Sequence, residues 1–423
     1  MKRTLALLLA CALGASLLSG CAQASPAKEL TAAPIKLTDA DMTAQSPEVP
    51  GVYAALSGFG LELLQKTREA EGTSTLVSPL SVALALSMTA NGADGNTLAQ
   101  FEALLGDGAS IESVNAACQA LTTIYRNLDG STQCSIANSL WVDPEGQIRE
   151  DFTGKCRGLF DAQVFQTQLS APGIVKELNG WVSGHTNKLI PKIIDEPFSE
   201  ETALLLANAL YLKNTWAREF DPLDTYEMDF HHGDGSDSRV DSLQRFDTQM
   251  SYLSGEGAQG AVLPYDDGRL AFFVLLPDLY PDAPDFGTWL GSLEGDSLTR
   301  LLDSREDALF LCFSMPKFTA EWNGNLKETL AALGLGDALL PETANFSQMG
   351  DHPDGYFISQ VIHATRIEVN EKGTEAAAVT VVEAETGAGA PPPEGVTLIL
   401  DRPFLYGIVD LQNGVPLFLG TYE

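Results

Sequence analysis

The groups in this 423-residue chain that could do chemistry are five histidines, six cysteines and 57 carboxylates. Their spacing excludes most of what they could do. The histidines are His185, His231, His232, His352 and His363, with one adjacent pair, His231-His232. Neighbouring side chains on a strand point to opposite faces, so that pair makes a poor metal clamp. No Cys-x-x-Cys is present for zinc or redox work. Gly-x-Ser-x-Gly, His-Glu-x-x-His and the phosphate-cradling Gly-x-x-x-x-Gly-Lys are absent as well. So many carboxylates form pairs by chance alone and carry no signal. An enzyme, a metal site and a cofactor are therefore not expected.

What remains is a stretch suited to being acted upon. Gly373 to Ala390 is rich in Gly, Ala and Thr, the composition of an exposed loop. Read with period two it is also a strand. Thr374, Ala376, Ala378, Thr380, Val382, Ala384 and Thr386 share one face, all small or apolar and none charged. Glu375, Glu383 and Glu385 lie on the other, with Ala377, Val379 and Val381. Such a segment could be solvated or have one face buried. Gly387-Ala388-Gly389-Ala390 then offers the extended, adaptable backbone that a protease requires, and Pro391, Pro392 and Pro393 form a stiff spacer. A surface hairpin or linker is the alternative, and the two-faced alternation argues against it.

The flanks of this stretch resemble the serpin family. Glu371-Lys-Gly-Thr-Glu-Ala-Ala-Ala378 looks like the hinge of a serpin reactive-centre loop. Leu398-Ile-Leu-Asp-Arg-Pro-Phe-Leu-Tyr-Gly-Ile408 resembles the family's C-terminal signature, and Gly414-Val-Pro-Leu-Phe-Leu-Gly420 its closing strand. The resemblance covers the chain from about Val52 to Glu423. It implies an α+β serpin fold: a large central, mostly antiparallel sheet, two smaller sheets, eight or nine helices and an exposed reactive-centre loop over about 371–397. The hinge residues would be Glu371, Gly373, Thr374, Ala376, Ala377 and Ala378. Family spacing places the scissile bond at Gly387–Ala388, with the bonds next to Thr386 and Gly389 as alternatives.

Other residues have readings both with and without the resemblance. Ser78 and Ser81 flank Pro79 before an apolar helix, where a serine ordinarily caps. Asn208 is an amide inside the β-forming run Leu204–Trp216, and a local backbone bond would satisfy it. His363 would ordinarily be a satisfied structural histidine. The resemblance gives all four a shared role in the shutter beneath the central sheet, with His363 paired to Asn208. It likewise makes Trp216 the breach tryptophan, and Lys317 the partner of Glu371 there.

The elements that carry these residues begin after the first fifty. Lys2, Arg3 and the apolar run Leu5–Leu18 read as a signal segment over 1–20. Leu18-Ser-Gly-Cys21 resembles a bacterial lipobox, which implies lipidation of Cys21; ordinary secretion is the alternative. Residues 21–50 read as a lipidated cysteine and flexible tether with a reach on the order of 30 Å, and 51–423 as a single domain. Cell-surface anchoring or secretion follows, with the membrane touched through the lipid alone.

The net charge is −32, or −34 once Lys2 and Arg3 leave with the signal. Such a surface repels nucleic acid, and the absence of a Lys/Arg cluster excludes a heparin-type polyanion. Cys118, Cys134, Cys156 and Cys312 read as buried thiols, one disulfide being the alternative.

The resemblance thus implies a monomeric suicide inhibitor of serine proteases, in which the cleaved loop inserts into the central sheet. Gly, Ala or Thr before the bond suits an elastase-like enzyme. A trypsin-like one is disfavoured, because no basic residue lies between Lys372 and Arg402. A non-inhibitory serpin acting as an envelope binding protein or chaperone is the rival reading.

Overall fold

The structure, a computed structural model, describes residues 26–247, 250–306, 310–374 and 395–423. Cys21, the signal segment, Ala376, Ala377, Ala378, Thr386, Gly387, Ala388 and Gly389 lie outside the described residues.

Seven strands form the central sheet, labelled here in chain order: β1 (Lys28–Leu30), β2 (Gln133–Val142), β3 (Gln163–Gln166), β4 (Leu204–Thr215), β5 (Phe318–Asn325), β6 (Gln360–Asn370) and β7 (Gly373–Thr374). Their spatial order is β1-β3-β2-β4-β7-β6-β5. All neighbouring pairs are antiparallel except β2–β3 and β4–β6. A six-stranded sheet contains Phe404–Asp410 and Pro416–Tyr422 as neighbouring inner strands, a four-stranded sheet contains Val396–Ile399, and a two-stranded ribbon completes the set.

Ten α-helices occur among the described residues, above the eight or nine implied by resemblance. The first seven are α1 (Asp39–Gln45), α2 (Val49–Glu71), α3 (Pro79–Ala90), α4 (Gly95–Gly106), α5 (Ile111–Tyr125), α6 (Glu150–Phe160) and α7 (Gly173–His185). Helix α3 is buried along its whole length, which explains its unbroken apolar composition. It lies under β4 and beside the strand Pro416–Tyr422, between the two large sheets.

The tether reading of 21–50 is corrected for its described part. Lys28–Leu30 pairs antiparallel with β3 as the edge strand of the central sheet. Beyond it the chain crosses α6, where Ile35 N donates to Gly154 O at 2.8 Å and Arg157 Nη1 to Ala32 O at 2.7 Å. Gly154 and Gly158, one helical turn apart, leave the groove for this crossing. A Cβ on Gly158 would stand 1.9 Å from Ile35 O. Helix α1 then opens with a capping box between Thr38 and Asp41. A strand of three residues has no readable period, and its partner lies over a hundred residues away, so composition alone suggested a linker.

Cys118, Cys134, Cys156 and Cys312 are free thiols, and burial pushes those of Cys118 and Cys134 up to about 11 and 12.

Candidate functional site

The central sheet is divided down its middle. Strands β4 and β6 pair in parallel from Leu205/Gln360 to Ala209/Ala364, and there their mutual pairing stops. At the other end β7 lies between them, with Thr374 opposite Asn214 on β4 and Val369 on β6. The first hinge residues are thus already sheet residues, antiparallel to both neighbours. Gly373 makes this possible: its φ of 154° disfavours a side chain, and a Cβ would stand 2.0 Å from Asn214 O. Thr374 is fully buried, and its hydroxyl bonds that of Tyr265.

Aromatic rings line this entrance. Trp216 stacks on Tyr265 with centroids 4.9 Å apart and planes 4° from parallel. Its indole Nε1 donates to Asn370 O at 2.9 Å, and its backbone N–H to Lys372 O at 2.9 Å. The turn from β6 into β7 is therefore held by one tryptophan through ring and backbone together. Beside it, Lys317 Nζ stands 3.0 Å from the Glu371 carboxylate, which also accepts from Thr225 Oγ1 at 3.1 Å. Burial works against the charged form of Glu371. Its own backbone N–H, Lys317 and Thr225 outweigh that effect and hold its pKa below the usual carboxylate range.

Beneath the paired end lies a buried polar cluster. Ser78 caps α3, its Oγ accepting from Ser81 N and donating to Leu417 O at 2.7 Å. The Ser78 N–H donates to His363 Nε2 at 3.0 Å. Ser81 Oγ donates to Asn208 Oδ1, and Asn208 Nδ2 to Asn138 Oδ1. The direct His363–Asn208 bond implied by the resemblance is not made. The two are register neighbours across β4 and β6, but the amide turns to Ser81 and Asn138 instead. With Nε2 as acceptor, the ring proton of neutral His363 lies on Nδ1, which is buried without a hydrogen-bond partner among the described residues. Desolvation lowers its pKa to about 3.

Two members of the site were not singled out from sequence. Asn138 sits in an alternating run, and only the pairing of β2 with β4 brings it opposite Asn208. Tyr265 follows the strand Ala258–Pro264 of the second sheet, and nothing local links it to Thr374. The adjacent histidines serve elsewhere: His231 bonds Asp237, and His232 bonds Ser238 and Glu423 O.

The family model for serpin (serine protease inhibitor) matches residues 54–423. Serpin-Z2B of Triticum aestivum is 32% identical over 81% of this chain and 88% of its own. Leukocyte elastase inhibitor A of Mus musculus is 30% identical over 86% and 96%. The thermophilic serpin tengpin in its native state superposes with a TM-score of 0.81 at 31% identity, covering 93% of this chain and 98% of that one. Human thyroxine-binding globulin, at 21% identity and a TM-score of 0.77 over 88% and 98%, shares the fold. A match over residues 54–423, together with a hinge seated between two parted strands, makes this chain a member of the serpin family.

Proposed function

We propose that this chain is a suicide inhibitor of serine proteases with a shallow, elastase-like specificity pocket, anchored outside the cell through a lipidated Cys21. The observation that carries the reading is the seated hinge. Thr374 occupies a slot whose walls, β4 and β6, stop pairing with each other where the slot begins. Cleavage need only let the rest of the loop follow.

The register says where that loop would go. Thr374 faces Asn214 and Val369; in an antiparallel strand, six residues onward faces six residues back on each wall. Thr380 would therefore arrive opposite both Asn208 and His363, on the same face as Thr374. A small hydroxyl residue there fits above the Ser78/Ser81 cluster, and a charged residue would not. The polar cluster thus marks where the existing β4–β6 pairing must yield.

The protease's serine Oγ would attack the carbonyl carbon of Gly387. The Gly387–Ala388 bond breaks and the Ala388 amine leaves with a proton from the protease's general acid. Insertion of Thr374 to Thr386, roughly 43 Å of strand, would then carry the acyl-enzyme away before water cleaves the ester. Residues before the bond and the likeness to a leukocyte elastase inhibitor support an elastase-like target. Because Ala27, six residues after Cys21, is bonded to the body through Glu177, an anchor at Cys21 would hold the body within about 25 Å of the bilayer surface.

The test mixes Ala22–Glu423 with pancreatic or neutrophil elastase and boils the mixture in detergent. A band at the summed mass, with a released peptide beginning at Ala388, is expected. Quantitative cleavage that leaves elastase active and no covalent band would overturn the reading for this target.

A further inference from the structure

We propose that Tyr265 is a positioning residue that keeps Thr374 seated in the central sheet of the intact chain, before any protease has acted. Tyr265 is itself rigidly held. It forms a bridge with Trp216, stacks on that ring, and is flanked by Ala217 N donating to Pro264 O at 2.9 Å and Asp266 N to Thr215 O at 3.0 Å. These contacts fasten it to the end of β4, the wall against which Thr374 pairs. Its hydroxyl is buried, and Thr374 Oγ1 is its only hydrogen-bond partner among the described residues. Burial raises the phenol's pKa, so the group remains a neutral hydroxyl.

Withdrawal of the hinge would strand that hydroxyl. Buried polar groups are costly to leave unpaired, so the bond favours the seated state over the expelled one. Seating also places the first residue of the new strand. Loop closure is the unfavourable opening step of strand addition, and later residues extend from an end already fixed. The consequence for trapping rests on the inhibitory reading. An expelled hinge must be reseated while the acyl-enzyme hydrolyses, and more of the inhibitor is then spent as substrate.

Tyr265→Phe removes the hydroxyl and keeps the ring stacked on Trp216; Thr374→Val removes the other half of the bond at nearly constant shape. The first readout is amide hydrogen exchange of the hinge peptide, about residues 369–376, in intact protein without protease. Each variant is expected to exchange about two- to ten-fold faster, the worth of one ordinary hydrogen bond. The double variant is expected to be no faster than either single, because both break the same bond. Tyr406→Phe is the control, a buried tyrosine whose hydroxyl has no hydrogen-bond partner among the described residues; it should leave hinge exchange unchanged. Unchanged exchange in both hinge variants, or additive effects, would overturn the proposal. The second readout is the number of inhibitor molecules consumed per elastase trapped, expected to rise with the association rate unaltered. If wild type traps no elastase, the inhibitory reading fails for that target while the exchange experiment still decides the seating.

Discussion

At the level of single residues, the cluster under the sheet is a hydrogen-bonding problem with one proton out of place. His363 accepts from Ser78 N–H and is held neutral by burial, its pKa lowered to about 3. An unfolded histidine titrates near 6.5, so between about pH 6.5 and 3 unfolding takes up a proton. The contribution to stability is complete above that window and falls as pH drops through it. At pH 5 the loss is about 2 kcal/mol. Urea unfolding of wild type and His363→Asn at pH 7.5 and pH 5 checks this: wild type should lose about 2 kcal/mol more than the variant, and equal losses would exclude a buried neutral imidazole. Ser78, Ser81, Asn208 and His363 were grouped by the serpin resemblance, since local pattern alone made them helix caps, a backbone-bonded amide and a structural histidine. Asn138 and Tyr265 were singled out by neither. Their partners are 70 and 109 positions away, and an Asn in a strand or a Tyr after one has no local mark of what it will meet.

The elements show a similar division between local and distant information. Strand β4 and helix α3 were legible from composition and turn residues, because each is long or carries its own punctuation. The edge strand β1 and the crossing over α6 were not, because they exist only through distant partners. Gly158 is the test of that crossing. A methyl group there would meet Ile35 O, while the helix itself would tolerate or prefer alanine. Gly158→Ala should therefore leave α6 intact and lift residues 26–38 away from it. A local penalty of about 1.4 kcal/mol raises the opened population about ten-fold. Limited proteolysis should cut between 26 and 38 about ten times faster in the variant, with the rest of the body as resistant as before. Unchanged cutting would mean that the segment is held by β1 and α1 without the groove.

For the whole molecule, a sheet that accepts a further central strand cannot be in its lowest free-energy arrangement before it does so. On the inhibitory function proposed above, the native state would persist because a barrier separates it from the inserted one. The division between β4 and β6, open at the Thr374 end and closed from Ala209 and Ala364 onward, gives that barrier a location. Insertion on that proposal would part five register pairs and carry Thr380 past His363 and Asn208. Two measurements follow. Loop-cleaved wild-type protein should melt well above intact protein, because the new strand joins both walls. Thr374→Arg should be cleaved as readily as wild type yet form almost no covalent complex. An unpaired charge at this fully buried position costs about 3–5 kcal/mol, which slows insertion by about a hundred-fold or more. Hydrolysis of the acyl-enzyme then wins the race, and elastase is released active. A full yield of complex from Thr374→Arg would show that the strand does not enter where Thr374 already sits, and the slot between β4 and β6 would lose its role as the path of insertion.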